Sequence, residues 1–216
     1  MADQVSDDYA SSDLTPRMKT ALEFTDHMLL RPGPLPTALR AEVDDAFDQG
    51  ELVELALGLG LFHGFSKMLI ALGLEPDQMD TTVLPTPAPS GRDTSATAGD
   101  PRAEVLAARP DLRARWEHMA RLLAGLDALP AGGVEVIDSR SAALVGAPWG
   151  GPVAGDDELQ ALLAELTELF MIDVRAIDSQ RIDDLREAVG DAGVVQAVMT
   201  MAVSDGIART AVTLGD

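Results

Sequence analysis

The chain has 216 residues, a 46% apolar fraction and a formal net charge of −20 from 36 acidic and 16 basic side chains. That length suits one compact domain or two small ones with a sizeable core, and so acidic a surface repels phosphate backbones and anionic membrane surfaces. With no cysteine, disulfides, thiolate metal sites and thiol redox chemistry are excluded.

The first thirteen residues, MADQVSDDYASSD, are polar and acidic without an apolar core, so they are expected to be disordered and do not form a secretory signal. Thr15 and Pro16 then open a helix, as cap and first helical residue. Its apolar face is Ala21, Leu22, Phe24, Met28 and Leu29, and Arg31-Pro-Gly-Pro-Leu-Pro36 ends it. A second helix is expected from Thr37 to about Asp48, with Leu39, Val43 and Phe47 turned to the core.

Next comes ELVELALGLGLFHGFSKMLIALG, Glu51 to Gly73, proline-free and almost wholly apolar or glycine as far as Leu61. The run is too long for a strand and reads as a buried helix around which the chain is organised. Its polar groups are Glu51, Glu54, His63, Ser66 and Lys67. At 3.6 residues per turn, His63 and Lys67 share a face with Ser66 beside them. Buried polar groups need partners, so these residues are the candidate site. No apolar run reaches bilayer length free of ionisable groups, and the expected compartment is the cytoplasm.

Residues 81–101 hold four prolines among small polar residues and read as a linker. Beyond them, Ala103–Ala108 and Asp111 to about Asp127 are helical in pattern, with a core stripe of Trp116, Met119, Leu122 and Leu123. The glycine-rich stretch 130–155 is irregular, and Val134-Glu-Val-Ile137 is a candidate short strand. Asp156 is the expected cap of a further helix running to about Ile172.

Laid over itself with Thr25 on Thr167, the chain aligns Thr25–Gly73 with Thr167–Gly215 without a gap. At this repeat interval six positions are identical, and apolar positions coincide at pairs such as Leu29/Met171, Val43/Leu185, Leu57/Met199 and Phe65/Ile207. Glu54, His63 and Lys67 align with Gln196, Asp205 and Arg209. Asp205 and Arg209, at i and i+4, read as a structural salt bridge. The expected architecture is all-α: a first helical unit over 14–80, the 81–101 linker and a second unit over 102–216.

Residues 14–88 resemble carboxymuconolactone decarboxylase-like proteins of the alkyl hydroperoxidase D fold. The resemblance lies in Leu14-Thr-Pro-Arg17, Phe24-Thr-Asp26, Glu51-Leu-Val-Glu54-Leu, Lys67, Ala71-Leu-Gly-Leu74-Glu-Pro76 and Val83-Leu-Pro-Thr-Pro87. Residues 165–216 look like a more divergent unit of the same kind, notably Phe170-Met-Ile-Asp-Val174 and Val203-Ser-Asp205-Gly-Ile-Ala-Arg209. The resemblance implies that fold and a homo-oligomer. In the family's peroxidases a glutamate, a CxxC pair and a histidine share one helix. Glu54 fits the glutamate, but Ser66 and Leu69 stand at the two cysteines and Gly73 at the histidine. Peroxidase chemistry is therefore not expected.

The decarboxylase branch needs only acid–base groups. On that reading Glu54 is a general base, His63 transfers a proton, Lys67 holds a substrate carboxylate and Ser66 contacts the substrate, a small carboxylate-bearing or apolar molecule. The competing reading is a non-catalytic structural or regulatory member, in which the same groups are salt-bridged or satisfied in the core. Other patterns carry no chemistry. Gly58-Leu-Gly60-Leu-Phe-His-Gly64 lacks dinucleotide-loop spacing and lies inside a helix. His27, His63 and His118 lack metal-ligand spacing, so neither a metal nor a cofactor is expected.

Overall fold

The computed structural model describes residues 9–74, 100–151 and 157–215. The expected disorder before Tyr9, most of the 81–101 linker and the expected cap Asp156 lie outside the described residues. The protein is all-α, and among the described residues there is no strand.

Tyr9–Ser11 form a short 3-10 turn inside the stretch expected to be disordered, tied down by the Tyr9 hydroxyl donating to Asp26 Oδ2 at 3.1 Å. Helix α1, Pro16–Leu30, starts as its sequence dictates: Thr15 Oγ1 accepts from the Met18 amide and proline occupies the first turn. Helix α2, Thr37–Ala46, buries Leu39 and Val43, while Phe47 lies just past its end in extended conformation. Helix α3, Gln49–Ala71, opens with a capping box in which Asp48 accepts from the Glu51 amide and the Glu51 carboxylate accepts from the Asp48 amide.

After Pro101–Leu106, which is 3-10 rather than the expected α-helix, α4 spans Pro110–Ala124. Helix α5 spans Gly133–Val145 and takes in Val134–Ile137, the expected strand. Those β-branched residues are helical because Val136 and Ile137 pack into one apolar cluster and Ala142 into another, a tertiary demand that overrides local preference. Helix α6, Glu158–Ile172, is capped by Asp157, whose side chain accepts from the Gln160 amide. Helix α7, Ser179–Leu214, is broken at Gly190, where φ is 72° and ψ 175°.

The elements recur at the repeat interval that carries Thr25 onto Thr167. Pro16, the start of α1, falls on Glu158, the start of α6, and Thr37, the start of α2, falls on Ser179, the start of α7. Asp48, the cap of α3, falls on the break at Gly190. The most extensive packing joins α3 to the half of α7 after Gly190. The two helices run antiparallel, and at their closest approach a Cβ on Gly60 would stand 2.6 Å from the Gly206 carbonyl oxygen, while one on Gly64 would collide with the Ala202 carbonyl. No side chain fits between these backbones. Along the two helices the midpoint of this contact falls at the level of residues 62 and 204, which align in the overlay of the chain on itself, although their side chains point away from it.

Among the described residues, three of the four apolar clusters around the α3–α7 pair are the largest. One joins α5, α6 and α7 around Leu166, Phe170 and Met201; another joins α3, α4 and α7 around Trp116, Val203 and Ile207; the third joins α1, α2 and α3 around Phe24, Met28 and Val43. By length and composition α3 could cross a bilayer, contrary to the sequence expectation, since its few ionisable groups do not outweigh its leucines. Here it serves as a core helix, buried along the side that meets α7.

Candidate functional site

The α3–α7 crossing brings His63 and Lys67 of α3 to Asp205 and Arg209 of α7. Asp205 is fully buried, with Lys67 Nζ 3.0 Å from its Oδ2 and Arg209 Nε 2.5 Å from its Oδ1. Both cations also reach a helix C-terminus. Lys67 Nζ donates to the Met171 carbonyl of α6 at 3.1 Å, and Arg209 Nη1 donates to the Leu29 carbonyl of α1 at 2.8 Å. Those carbonyls have no partner within their own helices and lie at the negative end of the helix dipole, so cations suit them. Arg209 follows Lys67 by one repeat interval, and Met171 follows Leu29 by the same interval. The two bonds are therefore counterparts across the crossing.

His63 is the counterpart of Asp205 and faces it, Nε2 to Oδ2, at 3.8 Å. That separation is too long for a hydrogen bond, and Nε2 is buried with no hydrogen-bond partner. Burial, reinforced by the Lys67 charge and opposed by Asp205, holds the imidazole down at about pKa 4. It is neutral at physiological pH, so the contact is not an ion pair. Burial likewise lowers the Lys67 ammonium, against the pull of Asp205. The Lys67 ammonium also lies 5.7 Å from the Phe170 ring centroid.

The other two candidate residues lie elsewhere. Glu54 stands more than two turns before His63, about 13 Å along the helix axis, and its side chain is 64% exposed and paired to Arg109. Ser66 Oγ donates to the Phe62 carbonyl of its own helix at 2.8 Å. The crossing thus unites His63 and Lys67 with Asp205 and Arg209 and leaves Glu54 and Ser66 outside. Neither of two prominent concavities is lined by any of the four expected site residues. One, of about 790 Å³, lies between α6 and α7 against Glu158, Glu165, Asp184 and Glu187. The other, of about 420 Å³, lies against Arg40, Arg102, Trp149 and Leu214.

A second polar cluster gives no signal in the sequence. Asp138 of α5, whose side chain is 17% exposed, lies against Arg102 and accepts a hydrogen bond from the Ser204 hydroxyl. Burial raises its carboxyl pKa, and the Arg102 guanidinium opposes that rise. Arg102 also pairs with Asp100 and lies 5.2 Å over the Trp116 ring. The segment holding Asp138 reads as irregular in sequence, and nothing in the spacing ties residue 102 to 138 and 204.

Among the described residues no cluster of His, Asp and Glu has the makings of a metal site. The chain matches no family model, no curated protein and no solved structure.

Proposed function

We propose that the chain is two fused copies of one helical unit, similar in kind to the thiol-free carboxymuconolactone decarboxylase-like proteins, and that it serves as a non-catalytic structural or regulatory member of that group. The fusion reading is supported by the single repeat interval shared by helix starts, the helix break and the paired carbonyl bonds. The observation carrying the non-catalytic reading is the internal satisfaction of the central charges. Asp205 is held by Lys67 and Arg209, and each cation spends a further donor on a helix end. Glu54, the base an acid–base mechanism would require, is exposed and bound to Arg109. A cytoplasmic location belongs to the same reading.

One observation favours the other reading, a protein that binds a small carboxylate-bearing or apolar molecule and performs acid–base chemistry. His63 keeps a neutral, unpartnered Nε2 beside Lys67, a group able to accept a proton or a ligand hydrogen bond. Native mass spectrometry of the gently purified protein distinguishes the two. The structural reading expects no retained small molecule in the wild type or in His63→Ala. A discrete ligand that is present in the wild type and lost in His63→Ala would overturn it and establish a site at His63.

A further inference from the structure

Helix α3 and the second half of α7 occupy equivalent places but are covered differently. Along α7, Gln196, Thr200, Ser204, Ala208 and Ala211 form one buried stripe, none more than 9% exposed. The cover is α5 and the turn before it. Gln196 accepts from the Ala128 and Leu129 amides and donates to the Leu123 carbonyl, Ser204 donates to Asp138, and Ala208 packs with Ala142. One repeat interval earlier stand Glu54, Gly58, Phe62, Ser66 and Leu69. Among the described residues nothing comparable lies over them: Phe62 is 76% exposed, and a Cβ on Gly58 would meet no atom within 4 Å.

We infer that this outward stripe of α3 is a two-fold interface for a second copy of the same chain, in which Phe62 of each copy enters the gap at Gly58 of the other. The inference rests on the paired-unit reading above and on no chemistry at His63. Three observations choose the occupant. The equivalent stripe on α7 is sealed by a helix, so this is a surface that the fold buries under helices. Between Gly58 and Leu69 the stripe presents no charge, because Lys67 turns into the core and His63 toward Asp205, which suits an apolar helix face rather than an ionic partner. Finally, Phe62 and Gly58 stand one helical turn apart. Antiparallel apposition of two such helices therefore sets the large residue over the gap twice through a single symmetry operation.

Charge supplies a signature. Two chains of net charge −20 repel at long range, and salt screens that repulsion. The dimer is therefore expected to tighten as salt is added, whereas pairing with a basic partner would loosen.

The test is sedimentation equilibrium of the full chain over a wide range of concentration and at low and high salt. Phe62→Glu and Gly58→Leu are run alongside, with circular dichroism to establish that each variant is folded. The wild type is expected to dimerise, more tightly at high salt, and each variant to weaken the dimer by about tenfold or more. In this cysteine-free chain, Phe62→Cys should oxidise to a covalent dimer faster than Arg115→Cys at an exposed position of α4, a readout that survives if the other variants misfold. A wild type that stays monomeric, or a dimer indifferent to Phe62→Glu with no preferential Phe62→Cys crosslink, would overturn the inference. So would a monomer whose Phe62→Cys thiol is shielded from a modifying reagent, which would assign the cover to residues 75–99 of the same chain. A monomeric wild type that holds no small molecule would leave the scaffold reading standing, so the two proposals fail separately.

Discussion

His63 and Asp205, aligned positions when the chain is laid over itself, face each other across the α3–α7 crossing at 3.8 Å and differ in charge. Had both been acidic, two carboxylates would share one buried space with two cations. With a neutral imidazole on one side, a single carboxylate is shared by Lys67 and Arg209, and the surplus positive charge is taken up by the Met171 and Leu29 carbonyls.

This arrangement makes Asp205 the group whose loss costs most. Asp205→Asn should destabilise the protein by about 3–5 kcal/mol, because it leaves two buried cations without a counter-charge. The joint replacement Lys67→Met, Asp205→Leu, Arg209→Met should cost much less. Urea unfolding midpoints of the two variants measure the difference, and equal losses would contradict the account.

The neutral histidine gives stability a pH dependence. Its folded pKa of about 4 lies below the ordinary value of 6.5, so between those values the unfolded chain binds more protons and stability rises with pH. The contribution is complete above pH 6.5 and is lost as pH falls toward 4. Relative to His63→Gln, the wild type should lose up to about 3 kcal/mol across that window. Denaturant titrations of both proteins at a series of pH values give the difference directly.

Close backbone approach predicts opposite signs for neighbouring glycines. Gly60→Ala and Gly64→Ala force α3 and α7 apart and should each cost about 1–3 kcal/mol. Gly58, which points away from Gly60 on the open face of the helix, has room for a methyl group. There Gly58→Ala should stabilise the folded chain by up to about 1 kcal/mol through helix propensity. Thermal unfolding of the three variants tests the sign of each.

Removing Arg102 should leave the partly buried Asp138 without its main compensating charge. Arg102→Met is expected to destabilise by about 3 kcal/mol at neutral pH. Because burial already raises the Asp138 carboxyl, the folded state binds its proton more readily, and the penalty should shrink as pH falls and the carboxyl becomes neutral. A penalty that did not change with pH would place the cost in lost packing on Trp116 instead.

Much of the helical scaffold is legible in the sequence because its punctuation is local. Thr15-Pro16, Asp48 with Glu51, and the Pro32–Pro36 run act within a few residues; α1 and α2 begin and end beside them, and α3 begins there. Helix α5 misleads because Val134–Ile137 favours a strand when taken alone, and its helical state comes from packing on α7. The Gly190 break is equally obscure, since Gly193 lies close behind it in unbroken helix. Within the candidate site, helical spacing suffices to place His63 beside Lys67 and Asp205 beside Arg209. That Lys67 reaches Asp205 depends on the register of two helices far apart in the chain, which the Gly60–Gly206 contact sets and no local pattern announces. Glu54 misleads for a similar reason: its glutamate-like position in the motif says nothing of Arg109, which pairs with it from the start of α4. Glu54→Gln should accordingly leave the fold intact.

The reliance of α3 on α7 also bears on how the chain is made. Leaving the ribosome, α3 is complete at Ala71, yet the helix that covers its glycine face ends only at Leu214. At ordinary rates of synthesis the interval is roughly 7–30 s. During it the most apolar helix of the protein has no final partner, and its composition would suit a bilayer. The hazard to the nascent chain lies in that interval and ends when α7 arrives.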